Sequence, residues 1–319
     1  MSPAPLSLAT DTLAAWGGAA APPRLISDRE NTVFEARLAD GTRAALRLHR
    51  AGYRGAAAIE AELAWTGRLA ASGFPCPAPL PCRNGHLVAR APDGRHASLV
   101  TWIDGAPLSV AAEGDLPALY RRLGALLAEL HAAADRFAPV PAAFPRWDAE
   151  ALLGADPLWG RFWENPTLSG DEVDLLRTAR RTLRARLEAA EAPDIGLIHA
   201  DLLADNVLDD GARLWVIDFD DCGVGYRGYD LATALVSHCE RADYPDLFAA
   251  LVTGYASRRG SAARLTAELP LFVTLRALAS CGWIAGRASP DDPRQRAYAE
   301  RALRLSERWL ARHGKAPLA

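Results

Sequence analysis

The sequence predicts an α+β fold in which a small antiparallel sheet comes first and a larger, mainly helical part follows. Up to residue 103 the apolar residues alternate in short runs separated by Asp-Gly and Pro-Asp-Gly turns, the pattern of β-hairpins. From Leu116 onward they recur with a helical period over long runs. A short hairpin rich in Asp and Asn, embedded in the helical part, marks where chemistry is to be sought.

In chain order, Pro5 to Ala15 is Ala-rich, weakly amphipathic and reads as a short helix. Leu25 to Ser27, Thr32 to Leu38 and Ala44 to His49 read as strands, the first two joined through Arg29-Glu30-Asn31 and the last two through Asp40-Gly41. Ala56 to Ala71 is an Ala- and Leu-rich helix closed by Ser72-Gly73 and the Pro-rich run Phe74 to Pro79. His86 to Ala89 and Ala97 to Ile103 read as a second hairpin around Pro92-Asp93-Gly94, and Asp104-Gly105 breaks the pattern. A domain division is expected there, with 1–103 as one lobe and 104–319 as the other. Tyr120 to Ala134 carries Leu123, Leu126, Leu127 and Leu130 on one helical face, with His131 read as a core histidine near its end. Pro141 to Pro166 is Pro-rich and aromatic, and Ser169 caps a helix over Asp171 to Ala190. After Asp230 the helices expected are Leu231 to His238, Tyr244 to Tyr255, Thr266 to Arg287 and Pro293 to Arg312.

Composition excludes several functions. The chain is 50% hydrophobic and 24% charged, as a soluble globular protein is. Its net charge of −3, with no basic tail or patch, removes the case for nucleic acid as a partner. Almost every basic residue is arginine, Lys315 being the exception. Cys76, Cys82, Cys222, Cys239 and Cys281 are odd in number and lack C-x-x-C spacing, so reduced, buried thiols are expected rather than disulfides or a zinc site. No leader pattern is seen, and no window approaches the apolar length of a membrane span, so a cytoplasmic protein without membrane contact is expected.

The chemistry is carried by residues 197–221. His199-Ala200-Asp201 is followed five residues after Asp201 by Asn206, and the apolar run Leu214 to Ile217 ends on Asp218. A histidine, an aspartate two residues on, an asparagine and then an acid after a strand is the skeleton of a protein-kinase catalytic loop. A hydroxyl attacking a γ-phosphate needs a carboxylate to orient it and take its proton, which suits Asp201. The phosphates need Mg²⁺ on hard oxygen ligands, which suits Asn206 and Asp218. Asp209-Asp210-Gly211 is a turn signal between two short apolar runs, so a hairpin should return Asp218 alongside Asn206.

The stretches I-H-A-D-L-L-A-D-N-V-L and V-I-D-F-D-D-C-G-V-G-Y-R-G-Y-D-L-A resemble the signature of the aminoglycoside phosphotransferase, choline kinase and type II homoserine kinase family. The members are small-molecule kinases, so the resemblance implies a bilobal protein-kinase-like fold using ATP and Mg²⁺. It implies Asp201 as catalytic base, Asn206 and Asp218 as metal ligands, and His199 and Asp230 as supports of the catalytic loop. Ala200 stands where the family often has glycine. The kinase glycine-rich loop has no glycine here, and Ser27 and Asn31 are the candidates for phosphate contacts. Arg47 takes the place of the strand lysine on the phosphates, keeping the charge and adding a bidentate fork. The helix after that strand should supply an acid to pair with Arg47, Glu62 first and Glu60 as the alternative. Thr101, Trp102 and Ile103 should offer main-chain groups to the base.

For the acceptor, Asp220, Arg276, Trp283 and Arg287 are the candidates. Arg276, Ser280, Trp283 and Arg287 share one helical face, which suits an anionic or carboxylate-bearing acceptor if it does not face solvent. The expected activity is transfer of a γ-phosphate to a hydroxyl of a small amino acid or amino alcohol. Two alternatives stand beside it. Stress-response protein Ser/Thr kinases share I-D-F-D-D, although no A-P-E-like segment follows Asp218, and an inactive nucleotide-binding regulator would not need Asp201, Asn206 and Asp218 together. The acceptor's identity, ATP against GTP, and the oligomeric state are left open.

Overall fold

A computed structural model describes residues 4–29, 31–110 and 114–313 of the chain. They divide into two compact units, Met1–Ala111 with Arg136–Phe144 and Asp205–Asp220, and Ala112–Asp135 with Pro145–Ala204 and Asp221–Ala319.

The first unit is built on an antiparallel sheet of β1 (Arg24–Asp28), β2 (Thr32–Arg37), β3 (Arg43–Leu48), β4 (Val88–Arg90) and β5 (His96–Thr101), in the order β1-β2-β3-β5-β4. Its two tight turns use one device. Asp40 Oδ1 accepts from the Thr42 amide at 2.9 Å before Gly41 at φ 88°, and Asp93 Oδ1 accepts from the Arg95 amide at 3.0 Å before Gly94 at φ 87°. These turns fix the register, so that Phe34, Ala36, Leu46, Leu48 and Leu99 point to one buried face. Helix α1 (Ala4–Leu13) adds Ala9 and Leu13 to that core. Helix α2 (Ala56–Ala71) spans the expected residues and buries Ile59, Glu62, Leu63, Trp65 and Leu69.

The hairpin expected around Asp210-Gly211 also belongs to this unit. Val207–Asp209 pairs antiparallel with Leu214–Val216, and the Ile217 amide donates to the Asn206 carbonyl at 3.0 Å. That last rung brings Asn206 and Asp218 to the same end of the hairpin.

The second unit is mainly helical: α3 (Leu116–Ala134), α4 (Ala149–Leu153), α5 (Gly170–Glu188), α6 (Arg227–Val236), α7 (Tyr244–Ala256), α8 (Ala262–Ala285) and α9 (Pro293–His313). A small sheet orders Arg146–Trp147, Gly223–Tyr226 and Ile195–Ile198. Helices α3 and α7 approach closely because Gly124 and Gly254 face each other's backbone, where a Cβ would collide with the Leu251 or Arg121 carbonyl. The Ser169–Glu172 capping box opens α5, and Glu172 reaches on to Arg296 of α9 at 2.8 Å.

Three sequence expectations need correction. α6 begins at Arg227, four residues before Leu231, because the chain turns directly from its strand into the helix. α8 ends at Ala285, with Gly286 as its cap, so Arg287 lies beyond the helix that was expected to carry it. α8 is also long and apolar enough to cross a membrane, contrary to the expectation that no window approaches such a span. Yet 78% of its apolar window is buried inside the structure, the environment of a core helix. All five cysteines are free and buried, as expected. The α+β class is also as expected, an antiparallel sheet at the N-terminal side and helices after it.

Candidate active site

In the first unit the chemistry gathers around Arg47. It lies in mid-β3, where pairing with Val33 and Ser98 fixes its backbone. Its Nη2 donates to Asp218 Oδ1 at 2.8 Å and its Nη1 to Asp220 Oδ1 at 2.5 Å. The other Asp220 oxygen accepts from Asn31 Nδ2, and Asn31 Oδ1 accepts from the Arg50 amide at 3.0 Å. Asn31 is thereby fastened in the loop where phosphate contacts were expected. Burial works against the charge on Arg47, but Asp218 and Asp220 outweigh it and hold the guanidinium protonated. Burial likewise opposes ionisation of Asp220, and Arg47 and Asn31 help keep its pKa below the usual range.

Glu62 is buried on α2 and lies close enough to act on Arg47 through its field. Burial and the Asp220 charge push its carboxyl up, against the pull of Arg47, and its Oε2 has no hydrogen-bond partner among the described residues. The groups hydrogen-bonded to Arg47 are therefore Asp218 and Asp220. Glu60 turns away, with Oε1 4.0 Å from the exposed His86 ring. Nearby His49 is pushed down to about 4 by burial and by Arg47, so it is neutral against Ser98 Oγ at 2.9 Å.

Two carboxylates facing one guanidinium leave an excess of negative charge, the electrostatic condition for a divalent cation. The Asp218 side chain is 40% exposed. The hairpin brings it to the same end as Asn206, and a carboxylate with a carboxamide is the kind of hard-oxygen donor set that could hold Mg²⁺, the rest of its shell coming from water and phosphate. Asp218 has φ 63°, a left-handed conformation that costs a non-glycine residue energy and recurs at functional sites.

The remaining nucleotide candidates occupy the same unit. Ser27 is half-buried on β1. The Thr101 amide donates to the Ala78 carbonyl at 2.8 Å and that of Trp102 to the Arg43 carbonyl at 3.1 Å, so both donors are used internally. Ile103 is half-buried.

The second unit holds the His199-Ala200-Asp201 segment. Asp230, fully buried at the start of α6, accepts from the His199 amide at 2.8 Å and the Ala200 amide at 2.7 Å. It also meets His131 Nε2 at 3.0 Å, and His131 Nδ1 meets the Tyr255 hydroxyl at 2.8 Å. Burial raises the Asp230 carboxyl, yet the hydrogen bonds from His131 and from the His199 amide help keep it below the usual range. Burial holds His131 below its ordinary value, so the neutral ring donates from Nε2 to Asp230 and accepts at Nδ1 from Tyr255. The His199 ring in turn accepts from the Asp201 amide at 3.3 Å.

Asp201 is thus aimed by a backbone fixed from below. Its Oδ1 accepts from Arg276 Nη2 at 2.6 Å, and the Arg276 guanidinium stacks 4.4 Å from the Trp159 ring. Arg276 was a candidate for the acceptor, and the structure gives one arm of its guanidinium to Asp201. Arg287 lies 5.0 Å from the Trp283 ring, so these two stay together although the helix ends before Arg287.

Ala200 has φ 68° and is fully buried. An L-residue in that conformation costs about 1–2 kcal/mol. Glycine would relieve this, but costs about 0.5–1 kcal/mol of chain entropy and forfeits about 0.8 kcal/mol of buried methyl. The terms cancel, so Ala200→Gly is expected to leave stability within about 1 kcal/mol of the parent. Ala200→Val adds a β-branch in the wrong conformation and overpacks, and is expected to cost about 2–4 kcal/mol. Denaturant unfolding of both variants checks the pair, and a well-tolerated valine would contradict the argument.

Sequence reasoning missed the support that His131 and Tyr255 give to Asp230. Nothing in their spacing reveals it, since the three residues lie on α3, α7 and α6. The role of Arg276 was half legible, because a helical face gives a direction and not a partner.

The model of the phosphotransferase enzyme family matches residues 23–269. A homoserine kinase of Methylobacterium radiotolerans is 35% identical over 210 residues, covering 64% of this chain and 61% of that protein. This chain therefore matches less than two thirds of the length of that curated relative. The solved structure of a microcompartment-associated aminopropanol kinase matches with TM-score 0.84 at 31% identity, over 97% of this chain and 99% of that one. An amicoumacin kinase, solved with AMP-PNP, Ca²⁺ and amicoumacin, matches with TM-score 0.73 at 18% identity over 90% and 88% of the two chains, a likeness of fold.

Proposed function

Because the chain belongs to the phosphotransferase enzyme family and is a small-molecule kinase, we propose that it moves the γ-phosphoryl group of ATP, with Mg²⁺, to the hydroxyl of a small amino alcohol. The observation that carries this reading is the cluster in which Arg47 spans Asp218 and Asp220 while the hairpin returns Asp218 to Asn206. Asn206 and Asp218 are assigned to the metal, Arg47 and Asn31 to the phosphates, and Asp201 to the acceptor hydroxyl, whose proton it takes. Bound Mg²⁺ would neutralise charge developing on the transferred phosphoryl oxygens. Residues 1–103 serve the nucleotide in this reading, and 104–319 serve catalysis and the acceptor. The reaction takes place in the cytoplasm, where thiols such as these free cysteines stay reduced.

The choice of an amino alcohol over an amino acid rests on two supports. In structure the chain matches the aminopropanol kinase over nearly the whole of both chains, at 31% identity. Arg276, the residue best suited to a substrate carboxylate, is already engaged by Asp201. A panel of aminopropanol, ethanolamine, choline and homoserine, assayed for ATP turnover, tests the reading. The amino alcohols are expected to show the higher kcat/KM; preference for homoserine overturns the acceptor class, and no turnover with any small hydroxyl compound overturns the whole reading.

Asp218→Ala tests the metal assignment. It is expected to weaken Mg·ATP binding by more than about tenfold, since it removes the principal hard ligand. Metal-free ATP should bind no worse, because the substitution frees one arm of Arg47. Calorimetry with and without Mg²⁺ separates the two effects, and undiminished Mg·ATP affinity refutes the assignment.

A further inference from the structure

Trp159 comes from the Pro-rich, aromatic stretch to which the phosphoryl-transfer reading gives no task. It stands in a tight turn, with the Gly160 amide donating to the Pro157 carbonyl at 2.9 Å and Gly160 at φ 90°. The Leu158 amide ties the same turn to α4, donating to the Ala151 carbonyl at 2.9 Å. The turn lies directly on α8. A Cβ added to Gly282 would stand 2.4 Å from the Gly160 carbonyl oxygen and 3.0 Å from that of Trp159, so glycine is what lets the two backbones meet.

This seating brings the buried Trp159 ring to 4.4 Å from the buried Arg276 guanidinium, with the Tyr229 ring at 6.0 Å. Trp147 backs the cluster, meeting Trp159 edge-on at 5.2 Å and stacking on Tyr229 at 5.7 Å. Arg276 Nη2 donates to Asp201 Oδ1, whereas its Nε and Nη1 have no hydrogen-bond partner among the described residues. One hydrogen bond at the tip of a long, flexible side chain does not fix its direction. The indole face supplies the missing restraint, since it attracts a guanidinium, and more strongly where both are removed from water. The Asp230 network fixes the backbone that carries Asp201, but the carboxylate's own torsions need a second hold, and Arg276 gives it.

We propose that Trp159 is a positioning residue for phosphoryl transfer: it holds Arg276, and Arg276 holds the Asp201 carboxylate toward the acceptor hydroxyl. This rests on the reading of Asp201 as the base. A catalytic group has to keep its productive geometry to within about 0.5 Å, and a misplacement of about 1 Å can cost about 10²-fold in rate. The effect of Trp159 therefore falls on kcat and passes only through Arg276 and Asp201.

The test is steady-state kinetics on the full chain with Mg·ATP and the best acceptor of the panel, with the folding of each variant checked by circular dichroism. Trp159→Leu is expected to lower kcat by about tenfold or more, with both KM values within about a factor of two. Trp159→Phe keeps an aromatic face and should retain most of the rate. Gly282→Ala keeps the Trp159, Arg276 and Asp201 side chains but pushes the turn off α8, so it should lower kcat in the same way. Added to Asp201→Asn or to Arg276→Met, Trp159→Leu should change kcat by less than about twofold, because the relay is already broken. Unchanged kcat in Trp159→Leu and Gly282→Ala beside a slow Asp201→Asn protein overturns the proposal alone. A loss that persists undiminished in the Asp201→Asn and Arg276→Met backgrounds overturns it too, since the ring then acts by another route, and so does a raised acceptor KM at unchanged kcat, which would make Trp159 a wall of the acceptor site. Near-normal turnover in Asp201→Asn overturns the assignment of the base, and the proposal with it.

Discussion

Asp201→Asn is expected to slow phosphoryl transfer by about 10²- to 10⁴-fold with the best acceptor, the range in which positioned acid–base groups contribute. Affinity for nucleotide should change little, because the side chain serves the acceptor hydroxyl and not the phosphates. The structure adds a cost of another kind. Arg276 is only 3% exposed and donates to Asp201 at 2.6 Å, so the neutral amide leaves a buried guanidinium short of its counter-charge. Removing one member of a buried pair costs about 3–5 kcal/mol. Because the Asp201 side chain is 24% exposed, solvent screening lowers this, and about 1–3 kcal/mol of stability is expected to be lost. Adding Arg276→Met removes the orphaned charge, so the double variant should recover stability without recovering turnover. Turnover and denaturant unfolding, measured on the parent, both single variants and the double variant, separate the roles. Near-normal turnover in Asp201→Asn removes Asp201 as base; stability lost in the single variant and not restored in the double removes the ion-pair argument.

Much of the fold was legible because its signals are local. The Asp-Gly turns set the register of β2, β3, β4 and β5, and the Ala- and Leu-rich run closed by Ser72-Gly73 gave both ends of α2. The hairpin that joins Asn206 to Asp218 was equally local, a turn between two short apolar runs. Partners distant in the chain were not legible. Arg47 was expected to lean on Glu62, an acid fifteen residues away, but its hydrogen bonds go to Asp218 and Asp220, 171 and 173 residues on. No periodicity encodes such a pairing, since it is fixed by how the hairpin packs within the first unit. His131 shows the same limit from the other side. Its position on an apolar helical face correctly made it a core residue, and the core turned out to contain a carboxylate for it to hold.

That buried carboxylate carries the second large expectation. Asp230→Asn is expected to cost about 3–5 kcal/mol of stability, the range for breaking a buried charged network by one member. The reason lies in the count of donors around it. The His199 amide and His131 Nε2 both approach Oδ2, and the Ala200 amide approaches Oδ1, so both oxygens are needed as acceptors. An asparagine turns an NH₂ toward one of these donors in whichever orientation it takes, and a buried donor without an acceptor costs about 1–3 kcal/mol by itself. The left-handed Ala200 conformation, at φ 68°, would then lose one of the bonds that enforce it, and Asp201 would no longer be held in one direction. Turnover should therefore fall in the folded variant at low temperature, even though Asp230 touches no reacting group, with kcat reduced more than the KM for nucleotide changes. His131→Leu should lower stability too, but less, since the Tyr255 hydroxyl and one Asp230 bond are lost while both backbone amides keep their acceptor. The two substitutions share a hydrogen bond, so their costs should miss additivity by about 0.5–3 kcal/mol. Unfolding free energies for the parent, the two single variants and the double variant close that cycle. Additive costs, or an Asp230→Asn protein with full turnover at 10 °C, would mean that the loop carrying Asp201 is positioned by something other than this carboxylate.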